Sequence, residues 1–377
     1  MRDLSELREE IDQIDRKLVE LYQARMQITS EVAAYKIANN RPVFDRDREI
    51  SKLETLSAYG STPFHKQGIK ELFEQIMSIS RRRQYQLLNE SGRGEQIDYT
   101  QIAAHDYQGA KIVYQGMEGA YAQQALQEYF GEYAGNSYHV ETWRDAMEAI
   151  GNGEADYAVL PIENSSAGII SENYDLLTEY DNCIVGEQII KVDHALLALP
   201  GARLSDITDV YSHPQALMQC SKYLETNKSW ERHSLKNTAV AARSVQEKAD
   251  IHRAAIASRL TAELYGLAVL DTAIQNNRTN ATRFIIVAKG HVFTPDAGKI
   301  SLSFEVAHET GSLYHMLSHF IYNGLNLNHI ESRPVQGKTW EYRFFVDFEG
   351  NLGDAAVQNA LRGLKEEALC VQILGNY

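Results

Sequence analysis

The chain has 377 residues, 44% of them hydrophobic and 23% charged, with 37 basic against 51 acidic side chains and a formal net charge of −14. That length points to two or three domains, and the acidic balance argues against a general nucleic-acid binder, which needs a basic surface for phosphates. Cys183, Cys220 and Cys370 are odd in number and far apart, with no C-x-x-C or H-E-x-x-H spacing, so no disulfide framework, metal or cofactor is expected.

"MRDLSELREE" lacks a signal-type apolar run, and no stretch of about 18 apolar residues follows, so the expected location is cytoplasmic, without a membrane partner. From Leu4 the apolar residues Leu7, Ile11, Ile14, Leu18, Leu21, Ile28, Val32 and Tyr35 keep the 3-and-4 spacing of a helix seam, which "NNRP" at 39–42 stops. Helical patterns over 45–58 and 65–88 follow, and the section to residue 90 reads as all-α. At position 25 the seam calls for an apolar residue and receives Arg25. A buried guanidinium needs a carboxylate, from the protein or from a ligand, unless a register shift lets the side chain snorkel out. Lys36 lies eleven residues on, about 16 Å along the same face. Asp45, Arg48 and Glu49 share one face of the second helix, and Ser80 and Gln84 one face of the third, where "SRRR" at 80–83 reads as a helix face.

Together with Arg8 in "LREEID", these residues resemble the AroQ-type all-helical chorismate mutases over almost all of 1–88. The resemblance implies that Arg8, Arg25, Lys36 and Arg48 bind the carboxylates and ether oxygen of chorismate, that Glu49 and Gln84 add hydrogen bonds, and that Asp45 and Ser80 belong to the same site. The reaction is a pericyclic rearrangement, served by holding the reactive conformer and stabilising charge on the breaking bond. Arg8 and Arg25 stand seventeen residues apart, roughly 25 Å along one helix, too far for one small substrate. A shared site therefore takes Arg8 from a second chain, in an intertwined homodimer with antiparallel long helices.

"NESGRGEQ" at 89–96 reads as a linker. From about 105 to 292, strand-like runs such as "ADYAVLPIE", "NCIVGEQII" and "RFIIVAK" alternate with helical patterns at 143–152, 214–226 and 239–249, an α/β section with mainly parallel sheet. Polar punctuation falls at strand ends, where such sheets bind ligands. The segments are "GMEGAYA", "PIENSSAG", "YSHPQA", "NTAVAA" and "NATRF"; Ser212 and Thr238 are plausible N-caps. In "NNRTNATRFIIV" the pair Thr282-Arg283 stands where a polar loop becomes a strand, which by itself fits a solvated strand end.

As a set these segments resemble the prephenate dehydratases. The resemblance implies two α/β lobes with the site in their cleft, and conversion of prephenate to phenylpyruvate with loss of CO2 and the ring hydroxyl. Hydroxide leaves with difficulty, so a donor must serve that oxygen and cations must serve the carboxylates. Thr282 fits the first role, as a hydrogen-bond donor relaying from water, Glu163 or His213, and Arg283 the second; Asn164, Ser212 and Thr238 complete the set of substrate-binding candidates. One departure is "GAYA", with Ala120 and Ala122 where the family usually has Ser, so that a hydroxyl is missing or supplied by Tyr121.

After "TPDAGK" the tail, 298–377, reads strand, helix, strand, strand, helix, strand, the ferredoxin-like βαββαβ order. "TGSLYHML" and "HIESRPVQG" resemble the ACT domain of these dehydratases, with Ser312 in place of the usual alanine. This implies feedback by L-phenylalanine, bound between two chains near Gly311, Ser312, Leu313, Glu331, Ser332, Arg333 and Pro334. The whole reads as a mutase domain (1–90), a dehydratase domain (105–292) and an ACT domain (298–377). The alternatives are a non-catalytic amino-acid sensor, or an enzyme that keeps one activity only.

Overall fold

The computed structural model describes residues 2–92, 97–335, 337–338 and 341–377. Three helices come first, α1 (Leu4–Ala38), α2 (Arg46–Ser57) and α3 (Pro63–Glu90). Each starts where a side-chain oxygen of Asp3, Asp45 or Thr62 accepts an otherwise free backbone N–H. α1 stops at Asn39, whose Nδ2 donates to the Tyr35 carbonyl at 2.8 Å, and Asn40 turns the chain with φ 52°. Residues 89 and 90 of the expected linker are helical, and 93–96 lie outside the described residues.

The next section opens with β1 (Thr100–Gln101), β2 (Ile112–Gln115), α4 (Tyr121–Phe130), β3 (Ser137–Val140), α5 (Trp143–Gly151), β4 (Tyr157–Asn164), β5 (Gly168–Ile169), α6 (Ser171–Glu179) and β6 (Asn182–Lys191). A second group holds β7 (Ala195–Ala198), β8 (Asp209–Ser212), α7 (Pro214–Gln219), α8 (Ser221–Thr226), β9 (Glu231–Ser234), α9 (Thr238–Lys248), β10 (Arg253–Ala257), α10 (Arg259–Tyr265) and β11 (Ala268–Asp271). β12 (Ala281–Lys289) and β13 (Val292–Phe293) bring the chain back. Two lobes result, with strand orders β6-β12-β4-β2-β3 and β11-β7-β10-β8-β9. The expectation of a mainly parallel sheet is corrected: β12 runs antiparallel to β6 and β4, and β7 to β10 and β11. The strands that leave a lobe and return to it lie side by side, so they oppose; strands joined by crossover helices, β2-β3-β4 and β8-β9-β10, remain parallel.

β14 (Lys299–Glu305), α11 (Ser312–Ile321), β15 (Leu327–Pro334), β16 (Tyr342–Glu349), α12 (Ala355–Glu367) and β17 (Cys370–Asn376) follow the expected order, with strands antiparallel as β15-β16-β14-β17. This sheet meets the edge of the first lobe at Gly375 beside Ile184. A Cβ there would stand 2.2 Å from the Ile184 carbonyl oxygen, so the junction requires glycine. The helical section rests on the same unit, since Tyr85 donates to Glu366 and Arg82 to the Tyr322 carbonyl. No helix among the described residues is long and apolar enough to cross a membrane.

Candidate functional site

Two groups of polar side chains stand out, one between the first helices and one between the lobes. In the first, Arg25 is half-buried and donates to the Ser80 hydroxyl and, at 3.5 Å, to the Ile76 carbonyl, so it turns inward rather than snorkelling out. Lys36 donates to the Val43 carbonyl at 2.5 Å. Burial lowers the pKa of both cations, while Glu49 opposes that for each and Asp45 for Lys36. Gln84 is buried, with its amide nitrogen on the Ser80 carbonyl at 3.3 Å and its Oε1 without a partner, an acceptor that calls for a ligand or water. Asp45 caps α2, accepting from the Arg48 backbone N–H at 3.2 Å, and the Arg48 side chain is exposed.

Arg8 is exposed on α1, far from this group, so one chain does not assemble every predicted residue. Arg81, in the run read as a helix face, is instead buried between Glu49 and Glu367 of α12. Glu49 thus meets a protein cation as well as the candidate site; a triplet of arginines gave no sign of which one turns inward.

The second group surrounds a cleft of about 540 Å³ between the lobes. Of the predicted residues, Asn164, His213, Thr238 and Thr282 line it. Asn164 Oδ1 accepts the backbone N–H groups of Ser166 and Ala167 at 3.0 and 2.9 Å, which fixes the amide so that Nδ2 donates to Thr282 Oγ1 at 2.9 Å. The Thr282 oxygen is thereby engaged as an acceptor, and its own proton is left for a ligand. The caps fall one residue away from the expectation, or on the other side of it: Asn237 caps α9 and His213 caps α7, through bonds to Val240 N and Gln215 N. Ser212 is fully buried and donates to the Ile256 carbonyl at 2.6 Å, so it is no part of the cleft wall.

Arg283 and Glu163 require the larger correction. Successive residues of a strand face opposite sides, and with Thr282 toward the cleft Arg283 points away from it. There Nη1 meets Asp347 of β16 at 2.9 Å and Glu187 at 3.5 Å, and Nη2 meets Glu163 at 3.5 Å. Neither Arg283 nor Glu163 lines the cleft, so the first is no carboxylate partner there and the second no neighbour for relay to Thr282.

Two cleft residues, His194 and Gln219, escaped the sequence reading. His194, almost fully buried, donates through Nε2 to Gln219 Oε1 (3.0 Å), and its neutral ring accepts the Tyr121 hydroxyl at Nδ1 (3.1 Å), linking the two lobes. Burial lowers its pKa, and burial does the same for His213. "HALLAL" offered no signal that its histidine is a buried bridge. At the glycine turn, Ala120 gives α4 no side-chain cap, and Gln123 serves instead by accepting the Gly119 N–H at 2.6 Å.

In the tail, Gly311 takes φ 87° ahead of α11, and Ser312 borders two small cavities of about 150 and 140 Å³, the second also lined by Leu313. Glu331, Ser332, Arg333 and Pro334 on β15 line neither, and Arg333 pairs with Asp175 of α6 at 2.5 Å. One chain does not unite the two predicted effector segments in one cavity. Among the described residues Asp209, Glu231 and His233 are close enough together to hold a cation, at the edge of the second lobe and outside both groups.

Comparison with known proteins bears on both groups. The family model for chorismate mutase type II matches residues 7–85, and that for prephenate dehydratase matches 112–292. The bifunctional chorismate mutase/prephenate dehydratase of Escherichia coli (strain K12) is 34% identical over 98% of this chain and 95% of its own length. Among solved structures, the prephenate dehydratase from Arthrobacter aurescens in complex with L-Phe matches with TM-score 0.65 and 30% identity, over 71% of this chain and 89% of that one. GqqA, a quorum quenching acylase, matches with the same TM-score and identity over 70% of this chain and 96% of its own.

Proposed function

The chain belongs to the family of bifunctional chorismate mutase/prephenate dehydratases, and we propose from that premise which residues do the work: the helical group rearranges chorismate to prephenate, and the cleft converts prephenate to phenylpyruvate. In the first, Arg25 and Lys36 bind carboxylate and ether oxygens, and Gln84 supplies a hydrogen bond. Their depressed affinity for protons when buried is relieved by an anion, which is the charge chorismate brings. Arginine suits the task because its fork stays charged and grips carboxylates at two points. In the second, Thr282 donates to the departing hydroxyl.

The observation that carries the dehydratase assignment is the Asn164–Thr282 bond, which commits the threonine oxygen as acceptor and frees its proton. As carbon dioxide leaves, its bonding electrons close the aromatic ring and expel the hydroxyl. That oxygen takes one proton to become water, and Thr282 stabilises its developing charge.

Domain limits of 1–90, 105–292 and 298–377 fit this division. The tail's βαββαβ order supports an ACT domain, and the L-Phe complex of the A. aurescens relative supports phenylalanine as its effector. Since its two candidate segments do not meet in one chain, the effector binds between two. Leu4, Ile11, Ile14, Leu18 and Leu21 on α1 are each more than half exposed. Burying such a side chain contributes about 1.5–3 kcal/mol, so the stripe favours a second copy of the chain, which also brings Arg8 to the Arg25 group. A cytoplasmic location accords with a biosynthetic role. The likeness to GqqA supports a second reading of the cleft, acyl hydrolysis.

The test supplies purified protein with chorismate and follows its loss and the appearance of phenylpyruvate, with and without L-phenylalanine. Both changes are expected, the second suppressed by the effector. Accumulation of prephenate alone sinks the dehydratase assignment, and hydrolysis of an acyl-amide substrate in its place favours the second reading.

A further inference from the structure

Arg283 stands outside the cleft in which the sequence placed it, and its surroundings assign it another task. Its side chain is 13% exposed and that of Asp347 only 7%. Asp347 is held in turn by the Ser301 hydroxyl at 2.6 Å, which lies 2.9 Å from the Tyr377 hydroxyl, while Glu187 pairs with Lys299 of β14. Arg283 Nε is buried without a partner. A buried ion group of this kind adds little net stability, because desolvation offsets the attraction, yet removing one partner leaves an uncompensated charge. What the group does fix is the position of a backbone. The β12–β4 ladder shifts register between Arg283 and Phe284, one residue from Thr282, while the β12–β6 ladder runs unbroken through these residues. The guanidinium adds a grip beside the irregular edge.

A second contact acts on another part of the same lobe's wall. Arg333 of β15 grips Asp175 of α6 through Nε at 3.3 Å and Nη2 at 2.5 Å, and Ser171 and Glu172 at the start of α6 line the cleft. β15 pairs with β16 at the level of Asp347, through His329. Two parts of the first lobe's cleft wall are thus fastened to neighbouring strands of the C-terminal unit.

We propose that Arg283 is a positioning residue rather than a substrate ligand: clamped by Asp347, it holds Thr282 where its hydroxyl meets the substrate. This rests on the reading of the cleft as the dehydratase site. The C-terminal unit then forms part of the working dehydratase, because it supplies the other half of the clamp.

The test is a double-mutant cycle on the full-length protein with Arg283→Met, Asp347→Asn and the pair combined, measuring kcat and KM for prephenate. Mutase turnover in the same polypeptide reports that the chain is folded. Each single change is expected to lower kcat about tenfold or more with KM within about twofold, and the double to fall no lower than the worse single, as for residues acting as one unit. Arg283→Lys, which keeps the charge on Asp347, is expected to recover part of the lost kcat. A rise in KM for Arg283→Met, with Asp347→Asn at wild-type kcat, makes Arg283 a substrate ligand and overturns the clamp. So do losses that simply multiply in the double variant. Absence of prephenate turnover in the wild-type chain takes down the dehydratase reading and the clamp together, whereas failure of the clamp alone leaves that turnover intact.

Discussion

The helical group and the interlobe cleft hold their polar side chains in opposite ways. Between the helices, long flexible cations of α1 reach α3 and the α1–α2 turn, Gln84 keeps an unsatisfied buried oxygen, and Arg8 is absent from the group. In the cleft, Thr282, Asn164, His194, Tyr121 and Gln219 are bonded to one another or to backbone before any ligand arrives. The difference matches the chemistry. A rearrangement without proton transfer needs charge around the substrate, and a second chain can deliver part of it. Expulsion of a poor leaving group needs a donor already aimed, so the cleft fixes its hydroxyl by geometry.

Loss of Arg25 probes the first half of that comparison and carries the largest expected effect. Arg25→Ala should lower mutase kcat/KM by about a hundred- to a thousandfold, while dehydration of supplied prephenate stays near wild type. Loss of both activities would mean that the two groups are not separate sites. For the second half, Thr282→Val should lower dehydratase kcat by about a hundredfold. Asn164→Leu should cost less, about tenfold, because the hydroxyl survives and loses only its orientation. Equal turnover in Thr282→Val and wild type would remove threonine from the mechanism.

The sharing of the helical site between chains is open to a smaller effect. Mixed Arg8→Ala and Arg25→Ala chains should regain about a quarter of the mutase sites by random pairing of a two-fold dimer. Heterodimers that form and stay inactive would place Arg8 outside the site.

Much of the fold was legible because periodicity changes with element type. The seam of α1 and the strand "RFIIVAK" lie within a residue or two of the expected limits, and the six elements of the tail follow in the expected order. The cleft was legible as a set of strand ends, yet Arg283 and Glu163 were assigned to it against a signal already present. Residues adjacent on a strand face opposite ways, so Thr282 and Arg283 could not both enter one pocket. Asp347 could not have been named as the partner, since 64 residues separate it from Arg283 and only the folded sheets bring them together. Arg81 and His194 were hidden for a similar reason: each is buried by a surface that another part of the chain supplies.

The smallest effect concerns the neutral histidines that distinguish the cleft from the cationic helical group. Burial holds His194 and His213 below the ordinary value of about 6.5. Below that pH the unfolded chain binds more protons than the folded one, so their contribution to stability is complete above about 6.5 and declines as the pH falls toward their folded values. Glu366, raised by burial, acts in the opposite direction, and most carboxylates titrate lower still. Comparison with a His194→Gln variant cancels those other groups. Between pH 7.5 and 5.5 the melting temperature of the wild type should fall by a few degrees more than that of the variant. Parallel curves would mean that His194 titrates normally in the folded protein, and that the cleft is wetter than its hydrogen bonds imply.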